Sequence, residues 1–342
     1  MANKEEVLKN LNRWYINFNY KRELENFRKR HSLDNPIVKR VQLEVTQKCN
    51  FNCLMCPRNL VDTSRDMSFE EFKIIVNKLP QSVETIIFHG LGENALHPNF
   101  YDMLFYLKEK DYIIEHFSNL SVLKKDALDF IDILYISLDD VDPSSLKKLR
   151  GNINPSLTFE KLFLFREETK KRNKPLNISI SLSYINYKHL KEIYDFLDKF
   201  NIDLVQIQPI TNNFPYNSKE FWTFEKFIEK NFEKVDWKRV AEIYLENDYN
   251  FNLLIWYPRK YMKGLCVWGF DHVYINKDGD IISCCRKVVR TIKFGNLLEK
   301  SFEEIFYSTK YNAFRKAHLE GKKLGFCDYC TQGWPLKYVK KS

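Results

Sequence analysis

Short apolar runs alternate with amphipathic segments from Arg40 to Ile210. The runs have the length and β-branched content of strands, and the segments between them place apolar residues at helical spacing. The predicted strands are 40–46, 84–89, 112–118, 132–138, 176–183 and 203–210, and the predicted helices include 68–78, 99–110, 158–172 and 187–200. Alternation of this kind predicts a parallel sheet with crossover helices, and six such units fall short of a closed eight-stranded barrel.

Several of these strands carry polar residues at every second position. Parallel strands that are covered by helices on both faces usually read as continuous apolar runs. The alternating polar positions are Gln42, Glu44, Thr46, Ser179, Ser181, Ser183, Gln206 and Gln208. If helices cover the outside of the sheet, this polar face looks into the lumen of an open barrel and suits a polar cofactor and substrate. The alternative is a face that meets solvent because a helix is missing.

Three further segments lie outside the alternating region. Apolar residues recur at helical spacing over 5–30, which predicts an amphipathic helix that packs on the outside of the main domain. Residues 212–262 are rich in aromatic and charged side chains, with helices expected near 218–234 and 236–247. They either cap the active site or serve as a structural linker. We therefore divide the chain into 1–36, 37–211, 212–262 and 263–342.

The last of these domains reads as a hairpin followed by a helix. Two short apolar runs, 273–276 and 280–283, flank the turn residues Lys277, Asp278 and Gly279. A helix over 301–319 follows, because Ser301 and Glu304 have the spacing of a capping box.

Composition narrows the class of protein. The chain has 342 residues, of which 44% are hydrophobic and 15% aromatic, so it can bury a large core. No apolar run approaches the roughly 20 residues of a membrane span, and the first residues lack the apolar stretch of a signal peptide. We expect a cytoplasmic protein with no membrane association. The net charge of +9 predicts a solvated basic surface, and no nucleic-acid-binding motif is present, so no nucleic acid is expected as a partner.

The eight cysteines fall into two groups, which in a reducing compartment indicates metal ligands rather than disulfides. Cys49, Cys53 and Cys56 follow the first predicted strand with C-x3-C-x2-C spacing. Three thiolates on one loop can hold three irons of a cubane cluster, which leaves the fourth iron open to an exchangeable ligand. The alternatives are a disulfide with a spare thiol, or a three-thiolate zinc loop.

This cysteine loop resembles the signature of the radical S-adenosylmethionine (SAM) superfamily, in which SAM chelates the open iron. The resemblance extends over residues 41–330 and implies a partial (β/α)6 TIM-like barrel. In the sequence His89-Gly90-Leu91-Gly92-Glu93, after the second strand, Gly92 and Glu93 match the family motif that binds the SAM amino group. Leu91 replaces the first glycine of that motif, and Asn94 stands where the family usually has proline.

Further candidates for the SAM site follow the next two strands. Asn119 ends the third strand where the family often has Thr-Asn-Gly, and Ser137 opens a Ser-Leu-Asp sequence that is similar to the family's. Arg150 stands about where similar enzymes bind the SAM carboxylate, and a guanidinium suits that ligand. The alternative for each of these residues is a strand-end cap or a surface side chain.

The second cysteine group resembles the SPASM/twitch extension of radical SAM enzymes. The resemblance implies a closed [4Fe–4S] site, and no cysteine follows that could bind a further cluster; the four implied ligands are Cys266, Cys284, Cys327 and Cys330. Structural zinc is the alternative for four thiolates. Cys285 is left over, either as a packed thiol or as a hydrogen-atom donor to a substrate radical.

The resemblance therefore implies two [4Fe–4S] clusters, SAM and a reductant such as flavodoxin or ferredoxin. Such an enzyme cleaves SAM to a 5′-deoxyadenosyl radical, which takes a hydrogen atom from a substrate carbon. A four-ligand auxiliary cluster has no open iron, so we expect it to accept or relay an electron. This favours an oxidoreductase that dehydrogenates or cross-links a peptide or a small polar natural product.

Two other functions stay open on the sequence. One is a redox-neutral peptide epimerase that uses Cys285 as its hydrogen donor. The other is a non-catalytic iron–sulfur or electron-transfer protein that keeps its clusters without cleaving SAM.

Overall fold

A mixed sheet of eleven strands runs through the part of the chain that the computed structural model describes, which is residues 20–34, 36–215, 218–258, 266, 268–285, 292–322, 324, 327, 330 and 335–338. Its central seven strands are parallel neighbours in chain order: β1 (Arg40–Leu43), β2 (Thr85–Phe88), β3 (Ile113–Ser118), β4 (Ile133–Ser137), β5 (Leu176–Leu182), β6 (Leu204–Pro209) and β7 (Asn252–Trp256). The first six confirm the predicted strands, and the partial barrel is confirmed with them.

The described helices are α1 (Tyr20–Arg30), α2 (Phe69–Asn77), α3 (Phe100–Glu109), α4 (Pro143–Arg150), α5 (Pro155–Lys171), α6 (Leu190–Lys199), α7 (Lys219–Lys234), α8 (Trp237–Glu246), α9 (Phe302–Phe306) and α10 (Thr309–Leu319). Four short 3-10 turns lie between them, at Pro57–Leu60, Asn94–Leu96, Lys125–Asp129 and Tyr187–His189. Among the described residues, none of the helices combines the length and the apolar character that a bilayer-crossing segment needs.

The two faces of the parallel strands differ sharply in polarity. One face is apolar and fully buried in a core shared with the flanking helices, for example at Val41 in β1, Ile178 in β5 and Ile207 in β6. The opposite face carries the alternating polar residues, of which Ser179 in β5 and Gln206 in β6 are register partners. Because helices cover the apolar face, the polar face lines the inside of the open barrel, as the lumen interpretation predicts.

The C-terminal strands continue the same sheet at the β1 edge. β8 (His272–Ile275) pairs in parallel with β1, and β9 (Asp280–Ile282) and β10 (Lys293–Asn296) follow it antiparallel. At the other edge, β11 (Pro335–Tyr338) pairs antiparallel with β7. The predicted hairpin is present as β8 and β9, and the described end of the chain flanks both edges of the barrel.

The described part of the N-terminal helix, α1, packs against this C-terminal unit, not against the outside of the main domain as predicted. Phe27 of α1 is fully buried, with its ring edge-on to Phe270 at a centroid distance of 5.4 Å. Arg28 donates from Nε to the carbonyl of Leu319, at the end of α10, over 2.6 Å. The partner was not foreseeable because it lies almost at the other end of the sequence. The predicted residues 5–19 lie outside the described residues.

The aromatic-rich segment covers one end of the barrel. A second, smaller core joins α7 to the loops that follow β5 and β6 and to the end of α4, through Leu149, Ile185, Ile210, Phe224 and Ile228. Met55, in the cysteine loop, packs against it. Asn231 accepts a hydrogen bond from the backbone of Tyr184 over 2.9 Å. Of the two interpretations of this segment, these contacts support the cap.

Three features differ from the sequence prediction. β7 lies inside the segment that we assigned to an insertion or linker, and it extends the parallel sheet through β6. α4 was not predicted, although Asp142 caps it through its side chain and Pro143 begins it. The single helix expected over 301–319 is two helices, because Ser308 caps a new start for α10.

Candidate functional site

The cysteine loop is held at the carboxyl edge of the parallel strands, directly after β1. Phe51, 5% exposed, is part of the main core, and Pro57 is buried at the start of the 3-10 turn that closes the loop. Between these two anchors the backbone N–H of Cys56 donates to the carbonyl of Cys53 over 3.0 Å. The apolar anchors therefore fix the loop, whose three cysteines are half-buried.

The three thiols of this loop suit a cationic cluster. Burial, with smaller contributions from Cys53 and Cys49, raises the pKa of Cys56 to about 11, so the three sulfurs lie within electrostatic reach of one another. Bound iron is positively charged, so it would lower the pKa of these thiols again and favour the thiolates. Among the described residues, no three Cys, His, Asp or Glu side chains have the close spacing that grips a single metal ion. Each thiolate of a cubane binds a different iron, so a cluster does not require that spacing.

The end of α4 supports one side of the cysteine loop. The backbone N–H of Leu54 donates to the carbonyl of Leu149 over 2.9 Å. Gly151, at φ +67°, adopts a conformation that side chains disfavour, and a Cβ there would overlap the carbonyl of Asn52. A residue other than glycine at this position would therefore push α4 away from the loop.

Arg150 lies between the loop and a buried carboxylate. Its Nη1 is 4.0 Å from the sulfur of Cys53, and its Nε is 2.5 Å from Oδ2 of Asp139. Asp139 is fully buried, and its Oδ1 accepts the backbone N–H of Ser181 over 2.7 Å. Burial alone would lower the pKa of Arg150, but Asp139 and Cys53 raise it on balance, so the guanidinium stays charged beside the sulfur.

The second strand supplies Gly92 and Glu93 on the other side of the cysteine loop. A Cβ on Gly92 would lie 2.5 Å from the carbonyl oxygen of Thr46 and 2.6 Å from that of Lys48, so only glycine fits between these backbones. The backbone N–H of Glu93 donates to Lys48 over 2.9 Å. These contacts place the Glu93 carboxylate next to the cysteine loop.

Glu93 is a buried carboxylate that is bound from β3. One oxygen accepts the hydroxyl of Ser118 over 3.0 Å, and the other accepts the backbone N–H of Asn119 over 2.7 Å. Burial raises the pKa of Glu93 to about 7, although these two hydrogen bonds oppose the rise. His116, 3.9 Å from the carboxylate, is uncharged near neutral pH because burial lowers its pKa to about 4. Binding of a cationic ligand group beside Glu93 would lower this pKa and favour the carboxylate.

Asn119 connects Glu93 with the cysteine loop. Its side-chain Nδ2 lies 3.1 Å from Oδ1 of Asn50 and 3.7 Å from the sulfur of Cys49. Leu120, which stands where the family has glycine, is held at φ +68° and is fully buried. A non-glycine residue in this conformation is strained, which is typical of functional sites.

Ser137 belongs to a row of polar side chains inside the barrel. It is the register partner of Ser179 in β5, which in turn pairs with Gln206 in β6. One step further along the strands, Ser181 pairs with Gln208. The other four candidates for the SAM site contact the cysteine loop or its neighbours; they are Gly92, Glu93, Asn119 and Arg150. Ser137 lies on the inner wall beside them.

The second cysteine group also comes together. Burial raises the pKa of Cys266 well above its ordinary value, and Cys284, Cys327 and Cys330 raise it further because they lie close by. None of the eight cysteines, all of which are described, forms a disulfide. Four neighbouring thiols, each from a residue that the sequence singled out, match the donor set of a closed cluster.

Tyr274 links this second group to the inside of the barrel. It is fully buried on β8, and its hydroxyl donates to Oε2 of Glu44 over 2.7 Å. The same oxygen accepts the backbone N–H of Leu91 over 2.7 Å. Burial raises the pKa of Tyr274, and Glu44, Cys285 and Cys284 raise it further, so both cysteines lie within electrostatic reach of the phenol. The alternating pattern of the first strand predicts Glu44 in the lumen, whereas no local pattern in the sequence marks Tyr274 or the role of Asp139.

Comparison with known families and proteins agrees with this geometry. The family model of the radical SAM superfamily matches residues 43–197, and the model of the iron–sulfur cluster-binding domain SPASM matches residues 266–331. A relative from Pyrococcus furiosus, the tungsten-containing aldehyde ferredoxin oxidoreductase cofactor-modifying protein, is 27% identical over 306 residues, which cover 81% of this chain and 83% of the relative.

Two solved structures show the same fold. Streptococcus suis SuiB bound to the precursor peptide SuiA has a TM-score of 0.62 at 16% identity, with coverage of 85% of this chain and 68% of SuiB. The structure of anSMEcpe with bound AdoMet has a TM-score of 0.62 at 17% identity, with coverage of 86% of both chains. At these identities the likeness is one of fold.

The buried pair of Asp139 and Arg150 predicts a large loss of stability in an Asp139→Asn variant. Removal of one partner leaves the other charge buried and uncompensated, so we expect the free energy of unfolding in urea to fall by about 3–5 kcal/mol. The control is Glu84→Gln, which removes the exposed partner of Lys39 and should cost less than about 1 kcal/mol. Equal losses in the two variants would contradict the assignment.

The raised pKa of Glu93 predicts a pH-dependent contribution to stability. Between about pH 4.5 and 7, unfolded Glu93 loses its proton while the folded form keeps it, so the stability contributed by the protonated group falls as the pH rises. Urea unfolding of the unloaded protein should show the native chain losing about 2–4 kcal/mol relative to Glu93→Gln across this window. Parallel pH profiles of the two proteins would show that Glu93 is not perturbed.

Proposed function

Since the chain belongs to the radical SAM superfamily and carries a SPASM domain, we propose that it is an oxidising radical SAM enzyme. Its cofactors are SAM and two [4Fe–4S] clusters, of which one is held in the barrel and one in the C-terminal domain, where the four-cysteine donor set fits a single cluster. The reaction we propose is the dehydrogenation or oxidative cross-linking of a peptide or a small polar substrate. The observation that carries the proposal is the convergence of two cysteine groups on one barrel, one with three thiols and one with four.

Cys49, Cys53 and Cys56 would hold the cluster that binds SAM. Their loop is fixed by apolar anchors and by the end of α4, so the thiols are arranged before the cluster binds. The charged guanidinium of Arg150 beside Cys53 stabilises thiolate character at that ligand. Three thiolates leave one iron for an exchangeable ligand.

The SAM site would be formed by Gly92, Glu93, Asn119, Ser137 and Arg150. Glu93 offers an acceptor to the amino group, and Gly92 lets the backbone approach closely. Arg150 offers a cation near the carboxylate, and Asp139 orients it. Asn119 ties the acceptor to the cysteine loop, and Ser137 lies on the inner wall where ribose or adenine polar atoms would find partners.

When bound, the cluster and SAM supply a 5′-deoxyadenosyl radical that removes a hydrogen atom from a substrate carbon. The chain itself positions the substrate against the polar inner wall and excludes water through the cap that α7 forms over the ends of β5 and β6. The residues of the inner wall and of the cap make no bond with the reacting carbon. They orient the reactants and keep solvent out.

Cys266, Cys284, Cys327 and Cys330 would hold the auxiliary cluster. Four thiolates leave no open iron for a substrate, so its natural role is to accept or relay an electron, which favours net oxidation. Epimerisation with Cys285 as hydrogen-atom donor is the redox-neutral alternative, and its support is that Cys285 lies within electrostatic reach of Tyr274, whose hydroxyl binds Glu44 of the lumen. The iron–sulfur protein that does not cleave SAM is the third possibility.

Two substrate classes have support among the relatives. SuiB is bound to a precursor peptide, which favours a peptide. The Pyrococcus furiosus relative is named as a cofactor-modifying protein, which favours a small molecule. The serine and glutamine side chains of β5 and β6 on the inner wall suit polar groups of either. A reductant such as flavodoxin or ferredoxin would supply the electron that starts the reaction.

The cofactor assignment predicts how much iron the chain holds. After anaerobic reconstitution with iron and sulfide we expect about eight irons per chain, because each cubane holds four. A Cys327→Ala/Cys330→Ala variant should hold about four, and Cys285→Ala should match the native chain. Iron analysis with cluster absorbance measures this.

A native chain with only about four irons would remove the auxiliary cluster and the argument for oxidation. Loss of iron in Cys285→Ala equal to that in the double variant would show that Cys285 is a ligand.

A further inference from the structure

The inner wall of the barrel has a second layer of side chains, deeper than the candidate SAM site. Tyr135 and Asn177 are register partners on β4 and β5, and they stand two residues before Ser137 and Ser179, which also pair. Strand residues that are two apart point to the same face and lie about 6.6 Å apart along the strand. Tyr135 and Asn177 therefore face the lumen one layer below Ser137, further from the carboxyl edge of the strands.

Aromatic rings form one side of this deeper layer. Phe117 on β3 is the register partner of Tyr135, and their rings stack in parallel with centroids 4.4 Å apart and an interplanar angle of 5°. The ring of His89, directly after β2, lies 4.9 Å from that of Phe117. Because Phe117 and Tyr135 turn their ring faces to each other along the sheet, their ring edges point into the lumen. We call His89, Phe117, Tyr135 and Asn177 the deep row.

The stacked rings do not belong to the packed core. Leu134 and Ile136, on the outer face of β4, are buried in the core that the strands share with the helices. Phe117 and Tyr135 are only half-buried, and they belong to neither of the two apolar clusters of the described residues. Since helices cover the outer face, the exposed surface of these rings borders the lumen. A ligand that removed this apolar surface from water would gain free energy of binding.

Asn177 adds an unsatisfied polar atom to the deep row. Its side chain is 4% exposed, and its hydrogen bond with the Tyr135 hydroxyl opposes the rise that burial causes in the pKa of that tyrosine. Its Oδ1 has no hydrogen-bond partner among the described residues. A buried oxygen that is left without a donor is costly. Oδ1 therefore marks a position where a ligand would supply a hydrogen-bond donor.

An ion pair lies below the rings. Glu115 stands two residues before Phe117 on the same face of β3, and its Oε2 is 2.6 Å from Nη2 of Arg40 on β1. Both charges reach Tyr135, where Glu115 raises the pKa of the phenol and Arg40 lowers it. Because the two charges are paired, this part of the lumen presents no net charge to a ligand and favours an uncharged group.

We infer that the deep row binds an uncharged aromatic ring that carries a hydrogen-bond donor, such as a phenol or an indole, as the part of the substrate that enters the barrel. This inference rests on the proposed function and names the class of its substrate. Ring edges carry the positive end of the aromatic quadrupole and attract the face of another ring, which favours an aromatic ligand over an aliphatic one. The donor on the ligand would bind Oδ1 of Asn177. A tyrosine or tryptophan side chain of a peptide has this chemistry, and so does a small aromatic molecule.

The test measures the binding of matched probes to the oxidised, SAM-loaded holoenzyme by ligand-observed NMR. Phenol is compared with cyclohexanol, which has the same donor without an aromatic ring. Indole is compared with 1-methylindole, which has the ring without the donor. We expect phenol to bind at least about threefold more tightly than cyclohexanol, and indole at least about threefold more tightly than 1-methylindole.

Two variants test whether these preferences come from the deep row. Phe117→Leu removes one ring and should weaken the binding of phenol by about threefold or more. Asn177→Leu removes the acceptor and should abolish the preference for indole over 1-methylindole. The control is Phe105→Leu on α3, whose ring is 52% exposed and packs edge-on against Phe130. It should bind all four probes as the native enzyme does.

The peptide Gly-Gly-Tyr-Gly-Gly separates the two sources of the ring. Tighter binding of this peptide than of phenol would support the inference with a peptide as the substrate. Weaker binding of the peptide, with the preference for phenol over cyclohexanol intact, would support it with a small molecule.

The inference is wrong if the native enzyme binds none of the probes, or binds cyclohexanol as tightly as phenol and 1-methylindole as tightly as indole. It is also wrong if Phe117→Leu and the control weaken phenol binding equally. If both deep-row variants weaken SAM binding as much as phenol binding, the row serves the adenine of SAM and the inference fails. Absence of 5′-deoxyadenosine from native enzyme with dithionite would instead count against the proposed function, and the probe measurements, which need no turnover, would still decide the inference.

Discussion

The cysteine loop can present three thiols to one cluster only because it is clamped from two sides. On one side, Glu93 and Asn119 bind it through Lys48, Asn50 and the sulfur of Cys49. On the other side, the end of α4 binds it through Leu149. The parallel strands end at one edge of the sheet, so loops that are far apart in sequence meet there. The rest of the site depends on this clamp.

Burial gives the clamp its electrostatic character. Glu93, Asp139 and Glu44 are carboxyl groups with almost no exposed surface, and each has hydrogen-bond donors or a cation in contact. A buried carboxylate is stable only with such partners, so each one fixes the elements that supply them. Glu44 thereby joins the Gly90–Leu91 turn to Tyr274, and through it the barrel to the second cysteine group.

Local sequence patterns were sufficient for the first six parallel strands, the hairpin, most helices and both cysteine groups, because those features repeat over a few residues. The six predicted strands contain the observed ones, with bounds that differ by up to three residues. β7 was missed because a five-residue strand after two helices carries little periodic signal. The contacts between Tyr274 and Glu44, separated by 230 positions, and between Arg150 and Cys53, separated by 97, arise only when the chain folds. For the same reason the Ser-Leu-Asp sequence is recognisable as a local pattern, whereas the long-range contacts that give Asp139 its role are not predictable from it.

The central claim is that this clamp builds a site for reductive SAM cleavage. It is tested most directly by adding dithionite and SAM to the anaerobically reconstituted protein and measuring 5′-deoxyadenosine and methionine by chromatography. The account predicts that both products form in equal amounts, and that a Cys49→Ala/Cys53→Ala/Cys56→Ala variant forms neither. A fully loaded native chain that forms neither product, with or without candidate peptides and polar small molecules, would contradict it.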